Sequence, residues 1–171
     1  MTDAATTRLP WTVGPEPVGS AESAALLREY LTDVADRWYE LNHDRTSTPE
    51  EIDGHLAEDP SDDLAPPHGV LLVGRHGGEQ AGCVGLLRLD PRTAELRRMY
   101  VRPTKRGLGG AAVLLCAAEE TARAWGVERI VLDTRMDLVE ARALYARHGY
   151  LPIPRYNESP YAEVWLAKEL A

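Results

Sequence analysis

Arg106-Gly107-Leu108-Gly109-Gly110-Ala111 sets three glycines and a cation between a strand-like stretch, Glu95 to Val101, and a long apolar helix. The start of a helix carries about four unpaired backbone N–H groups and a partial positive charge, which suits an anion. Gly107, Gly109 and Gly110 lack a Cβ, so the backbone can come close to a ligand. Lys105 and Arg106 add mobile positive charge at the rim. The chemistry on offer is the binding of a phosphorylated molecule.

The elements that must hold this turn are legible around it. A helix over about 108–125 carries Val113, Leu114, Ala117, Ala118, Ala122 and Trp125, with Gly126 placed to end it. RIVLDT (129–134) is a short buried strand, so the unit predicts a parallel, right-handed crossover. Upstream, GVLLVGR (69–75) and QAGCVGLLRL (80–89) are joined by a glycine-bearing turn, and Asp90-Pro91-Arg92-Thr93 turns into AELRRMYV (94–101), an antiparallel meander. In that third strand the alternation breaks at Arg97-Arg98, and one extra residue, a bulge that splays the strand, restores the period.

The flanks complete the plan. Trp11 to Val18, broken by Pro15 and Pro17, reads as a short edge strand. Ser20 caps a helix running to about residue 41, and Thr48-Pro49-Glu50-Glu51 opens a short second helix through a capping box. Residues 60–68 form an irregular loop. Asp137 and Glu140 resemble a capping box for a helix ending at Gly149. YLPIP (150–154) and AEVWLAK (162–168) are closing strands around the polar loop RYNESPY. The first residues read as a frayed start.

With 171 residues, the chain reads as one domain over 1–171 with a sizeable core. A net charge of −8 argues against nucleic acid and favours the approach of cationic small molecules. No stretch is apolar enough for a membrane span, and MTDAATTRLPW has no signal-like apolar region, so a cytoplasmic protein is expected. Cys83 and Cys116 read as two buried free thiols. No cysteine and histidine spacing resembles a zinc site, and no metal is expected.

A phosphate-binding glycine turn can belong to more than one nucleotide fold. A Walker loop needs Lys-Ser/Thr after its glycines, and none is present. A dinucleotide fold fits G-x-G-x-x-A at 107–112, with Asp133 available for a ribose. Against it, RPTKR separates the strand from the glycines, an antiparallel meander precedes them, and too little chain remains after them for a doubly wound sheet.

Arg106 to Ala111 also fits R/Q-x-x-G-x-G/A, and Ala143-Leu144-Tyr145-Ala146-Arg147-His148-Gly149-Tyr150 fits A-L-Y-x-x-x-G-F/Y. Together, in this strand and helix order, these motifs resemble the GNAT acyltransferase superfamily. The resemblance implies an α/β (α+β) fold: a mixed, mostly antiparallel sheet of about six to seven strands, splayed in the middle, with about four helices. It implies an N-acetyltransferase that moves acetyl from acetyl-coenzyme A to an amine of a small molecule or protein, without a metal. A coenzyme-binding sensor that does not turn over, or a nicotinamide oxidoreductase, is the alternative. By the resemblance, Arg106, Gly107, Leu108, Gly109, Gly110 and Ala111 would hold the pyrophosphate. Met99, Tyr100 and Val101 would align the pantetheine arm.

The resemblance also assigns chemistry. Tyr145 holds the position of a general acid for the departing thiolate, against a plain reading as a core tyrosine. Glu95, eleven residues before Arg106, holds that of a general base, against a strand glutamate paired with Arg97 or Arg98. Glu40, Asp137 and Glu163 are further candidates for the base. Many relatives carry an asparagine seven residues before the tyrosine; Leu138 stands here, so no site is assigned to it. Trp38 and Tyr39 read first as packing residues and second as substrate contacts, and Tyr156 and Asn157 as substrate contacts from the RYNESPY loop. A homodimer through the last strands is the family habit.

Overall fold

The break in alternation at Arg97-Arg98 is a bulge, as the sequence predicts. In the computed structural model, which describes residues 8–170, Cys83 faces Tyr100 and Gly85 faces Arg97, so Val84 opposes two residues. Arg98 absorbs the irregularity with φ 56°, a left-handed conformation uncommon outside glycine. The frayed start lies outside the described residues.

The chain runs β1 (Trp11–Pro15), α1 (Ala21–His43), α2 (Pro49–Glu58), β2 (Gly69–His76), β3 (Glu79–Asp90) and β4 (Thr93–Val101). A 3-10 turn (Pro103–Lys105) leads to α3 (Gly110–Ala124), β5 (Arg129–Thr134), α4 (Val139–Arg147), β6 (Leu151–Pro152) and β7 (Val164–Glu169). The sheet order is β1-β2-β3-β4-β5-β7-β6. Only the β4–β5 pair is parallel, so the sheet is mixed and mostly antiparallel, and a doubly wound dinucleotide sheet is excluded. That pairing covers Thr93–Glu95 against Arg129–Val131 and stops. Beyond Glu95 the two central strands part, and among the described residues β4 has no strand neighbour on that side.

Adjacent residues of the meander serve opposite faces. Leu72, Val84 and Leu86 pack with Leu114, Leu115 and Ala118 of α3, while Leu71, Val73 and Cys83 pack with Leu26 and Leu27 of α1. Burial on both faces explains why VLLV reads as a continuous apolar run. The α3 face sits close: a Cβ on Gly74 or Gly82 would meet the Leu114 side chain at 3.1 or 3.3 Å. Truncating Leu114 would cost ~2–5 kcal/mol, the usual range for a buried leucine.

Several local expectations are corrected. Helix α3 begins at Gly110, because Gly109 adopts φ 83° as its N-cap. Helix α4 has no capping box: Asp137 is held bidentate by Arg135 at 2.9 Å through each oxygen, and Leu138 stands at the N-cap. Strand β1 ends at Pro15, and β6 pairs only through Leu151 and Pro152. Cys116 is exposed on α3; only Cys83 is buried. The capping box of α2, Thr48 with Glu51, forms as expected.

Candidate active site

The parting of β4 and β5 opens a cavity of about 1150 Å³. The glycine loop lies at one part of its wall, the free edge of β4 runs along it, and β5, α4, α1 and the 155–161 loop contribute the rest.

The glycine loop is built by two kinds of glycine. Gly107 and Gly109 take φ 78° and 83° with open space where a Cβ would sit. Gly110 instead packs under Trp11, whose ring would lie 2.3 Å from an added Cβ, and the Trp11 indole donates to the Leu108 carbonyl at 2.8 Å. Its small size therefore serves packing against Trp11, and the residue also lines the cavity. The first helical N–H taken up is that of Val113, by Gly109 at 3.3 Å. Among the described residues, the N–H groups of residues 107–112 have no backbone acceptor, so the start of α3 keeps free donors of the kind that suit an anion.

The cations beside it are engaged by neighbouring side chains and backbone. Lys105 is tied to Glu79 at 2.9 Å and lies 3.5 Å from His76. Arg106 folds back along the strand, donating to the Val101 carbonyl at 3.0 Å with Asp33 3.6 Å away. Met99, Tyr100, Val101, Arg106, Gly107, Gly109, Gly110 and Ala111 all line the cavity; Leu108, half-exposed, contributes its carbonyl to Trp11 and does not.

Tyr145 reaches the same cavity from α4, where its ring packs 5.6 Å from Tyr150. Only 5% of it is exposed, and its hydroxyl has no hydrogen-bond partner among the described residues. Burial, helped by the nearby Tyr30 and Asp133, drives the phenol well above its ordinary pKa, so it stays protonated.

Opposing it stands a pair of carboxylates at the point where the strands part. Glu95, 6% exposed, accepts from the Arg97 guanidinium and from the Tyr156 hydroxyl at 2.7 Å. Asp133, from β5, accepts from the Asn157 amide at 2.7 Å through Oδ2 and has no ion-pair partner among the described residues. Burial raises its pKa; the Asn157 hydrogen bond opposes this and the charge of Glu95 adds to it. The same loop thus clasps both acids, and burial with the Glu95 hydrogen bond pushes the Tyr156 phenol far up.

Asp133 is the site residue whose sequence context suggests another role, that of a ribose contact. Its signal lies in RIVLDT itself, a polar residue ending a buried strand beside the parallel partner of Glu95. The other candidates for a base fall outside the cavity: Glu40 is exposed, Asp137 is spent on Arg135, and Glu163 accepts from the Met136 N–H at 3.2 Å. Trp38, Tyr39, Tyr156 and Asn157 all line the cavity.

A family model described as Acetyltransferase (GNAT) family matches residues 31–150. An uncharacterised N-acetyltransferase of Schizosaccharomyces pombe is 34% identical over 115 residues, 66% of this chain and 70% of that protein. One of Mycobacterium tuberculosis is 34% identical over 87 residues, and the match spans 51% of this chain and only 56% of that relative. In fold, the chain resembles the PaiA N-acetyltransferase of Thermoplasma acidophilum, solved in complex with coenzyme A: TM-score 0.69, 15% identity, covering 94% of this chain and 99% of that one.

Proposed function

The chain belongs to the acetyltransferase (GNAT) family, and we propose that its cavity transfers acetyl from acetyl-coenzyme A to a primary amine by direct attack. One observation carries the reading: a helix start with free N–H groups and an acid-and-base constellation share one cavity. The residues fit the coenzyme, since Gly107 and Gly109 leave open space at the loop and the β4 edge has no strand neighbour. When bound, that coenzyme supplies the acetyl thioester.

The chain's own residues then divide the work. An ammonium of pKa about 10 must lose a proton before it attacks. Asp133 is the better placed acceptor: one oxygen is held by Asn157, no cation pairs directly with it among the described residues, and burial makes it more basic. Glu95, with both oxygens engaged by Arg97 and Tyr156, acts as its partner, holding the ammonium electrostatically and keeping Asp133 basic. The Tyr145 hydroxyl, protonated and without a protein partner, is available to the departing thiolate. The N–C bond forms and the C–S bond breaks; Asp133 gains the amine's proton and Tyr145 gives its own to sulfur.

The test is release of coenzyme A thiol from acetyl-coenzyme A with a panel of amines, with the acetylated amine identified by mass spectrometry. Turnover that depends on the amine and falls in Tyr145→Phe supports the reading. Tight coenzyme binding without turnover on any amine would leave a coenzyme-binding module instead.

The reading extends to the setting of the protein. A cytoplasmic location is supported by two cysteines that stay free thiols, and no helix among the described residues is long and apolar enough to cross a membrane. Pairing of two copies through the last strands is supported by exposed Leu151 on β6. The net charge of −8 supports an amine and not nucleic acid as the partner.

A further inference from the structure

The cavity has two chemically distinct ends on its acceptor side. At one end is Asp133, half-buried and without an ion-pair partner among the described residues. Three of the cations that line the cavity are committed to carboxylates. Arg97 pairs with Glu95 and with Asp63 at 3.1 Å, Arg98 with Asp59 at 3.0 Å, and Arg135 with Asp137 at 2.9 Å. None of these three is therefore free to receive a carboxylate or phosphate, whereas Asp133 can receive a cation.

At the other end the wall is aromatic. Trp38 of α1 meets Tyr161 of the 155–161 loop at 5.5 Å and Tyr39 at 5.0 Å, and His55 of α2 lies 6.0 Å from Tyr161. All four line the cavity. Outside the cavity lining, Arg45 stacks on Tyr39 at 4.6 Å while bound to Glu51 at 2.8 Å. The faces and edges of these rings offer a flat apolar group a surface to pack on.

We propose that the acceptor is an arylalkylamine: a primary amine on a short chain, carrying one aromatic ring and no carboxylate, with the ring against Trp38 and Tyr161 and the ammonium at Asp133. The proposal rests on the acetyl-transfer reading and narrows it. The amine nitrogen forms the new bond to the acetyl carbon and the C–S bond breaks. The proton lost to Asp133 and the proton given by Tyr145 balance through solvent, leaving the amide and the coenzyme A thiol.

The experiment measures kcat/KM of the full chain with acetyl-coenzyme A and four acceptors: 2-phenylethylamine, phenylalanine, butylamine and spermidine. The expected result is 2-phenylethylamine ahead of each of the others by at least about tenfold. In Trp38→Ala that lead over butylamine collapses to about twofold, mainly through KM. Tyr161→Ala, on an exposed loop residue, does the same if Trp38→Ala does not fold. Preference for spermidine or phenylalanine, or an equal loss on all four amines in the variants, overturns the proposal while leaving acetyl transfer standing. Coenzyme binding by calorimetry with no turnover on any amine overturns both.

Discussion

Asn157 holds Asp133: its side-chain amide donates to Oδ2 at 2.7 Å while its own carbonyl oxygen accepts the Trp165 indole N–H at 2.9 Å. The indole can only donate, so it fixes which way the Asn157 amide points. One carboxylate oxygen is thereby anchored and the other left for a ligand. Asn157→Ala removes the anchor but not the acid. It should lower kcat about tenfold or more with coenzyme affinity intact, a split that steady-state kinetics beside calorimetry would read.

Asp133 should trade stability for activity. Burial raises its folded-state pKa above its unfolded value, so the folded chain binds this proton more tightly. Its favourable contribution is complete below the unfolded pKa, about 3.9, and is lost as pH rises through the folded value. At pH 7 the buried carboxylate is a net cost. Asp133→Asn should therefore melt at a higher temperature than wild type at pH 7, and the gap should shrink as pH falls towards 4. Scanning calorimetry at several pH values checks this.

Tyr145→Phe should lose about 10²-fold or more in kcat, within the range of acid catalysis, yet cost under about 1 kcal/mol of stability. The phenol makes no hydrogen bond that phenylalanine would forfeit, and its ring packing against Tyr150 is kept. Thiol release and urea denaturation on the same preparation separate the two effects.

Gly110→Ala should destabilise by ~1–3 kcal/mol through overpacking, because the new Cβ would lie 2.3 Å from the Trp11 ring. Gly107→Ala meets no neighbour and costs ~1–2 kcal/mol through its left-handed φ of 78° alone. Adding Trp11→Leu should recover part of the loss in Gly110→Ala and none in Gly107→Ala. A double-mutant cycle in urea measures the difference.

The two glycines also mark how far sequence alone reaches. The β4 bulge is legible because a period of two fails visibly at Arg97-Arg98, and the crossover to β5 because glycine punctuates a long apolar helix. The packing role of Gly110 is hidden in sequence because its neighbour, Trp11, lies 99 positions away. Asp137 is misleading because a capping box competes with any nearby guanidinium, and Arg135 wins. Asp133 looks like the end of a buried strand. Its role depends on Glu95 and Asn157, which are local to it only once β4 and β5 pair and the 155–161 loop folds over them.

The pH dependence of kcat at saturating amine, wild type against Asp133→Asn, tests the central claim most directly. The account predicts an acid limb in wild type, with an apparent pKa above the ordinary aspartate range because burial raises it. It predicts a loss of about 10²–10⁴-fold and no such limb in Asp133→Asn. A variant that keeps both the wild-type rate and the wild-type limb would contradict it.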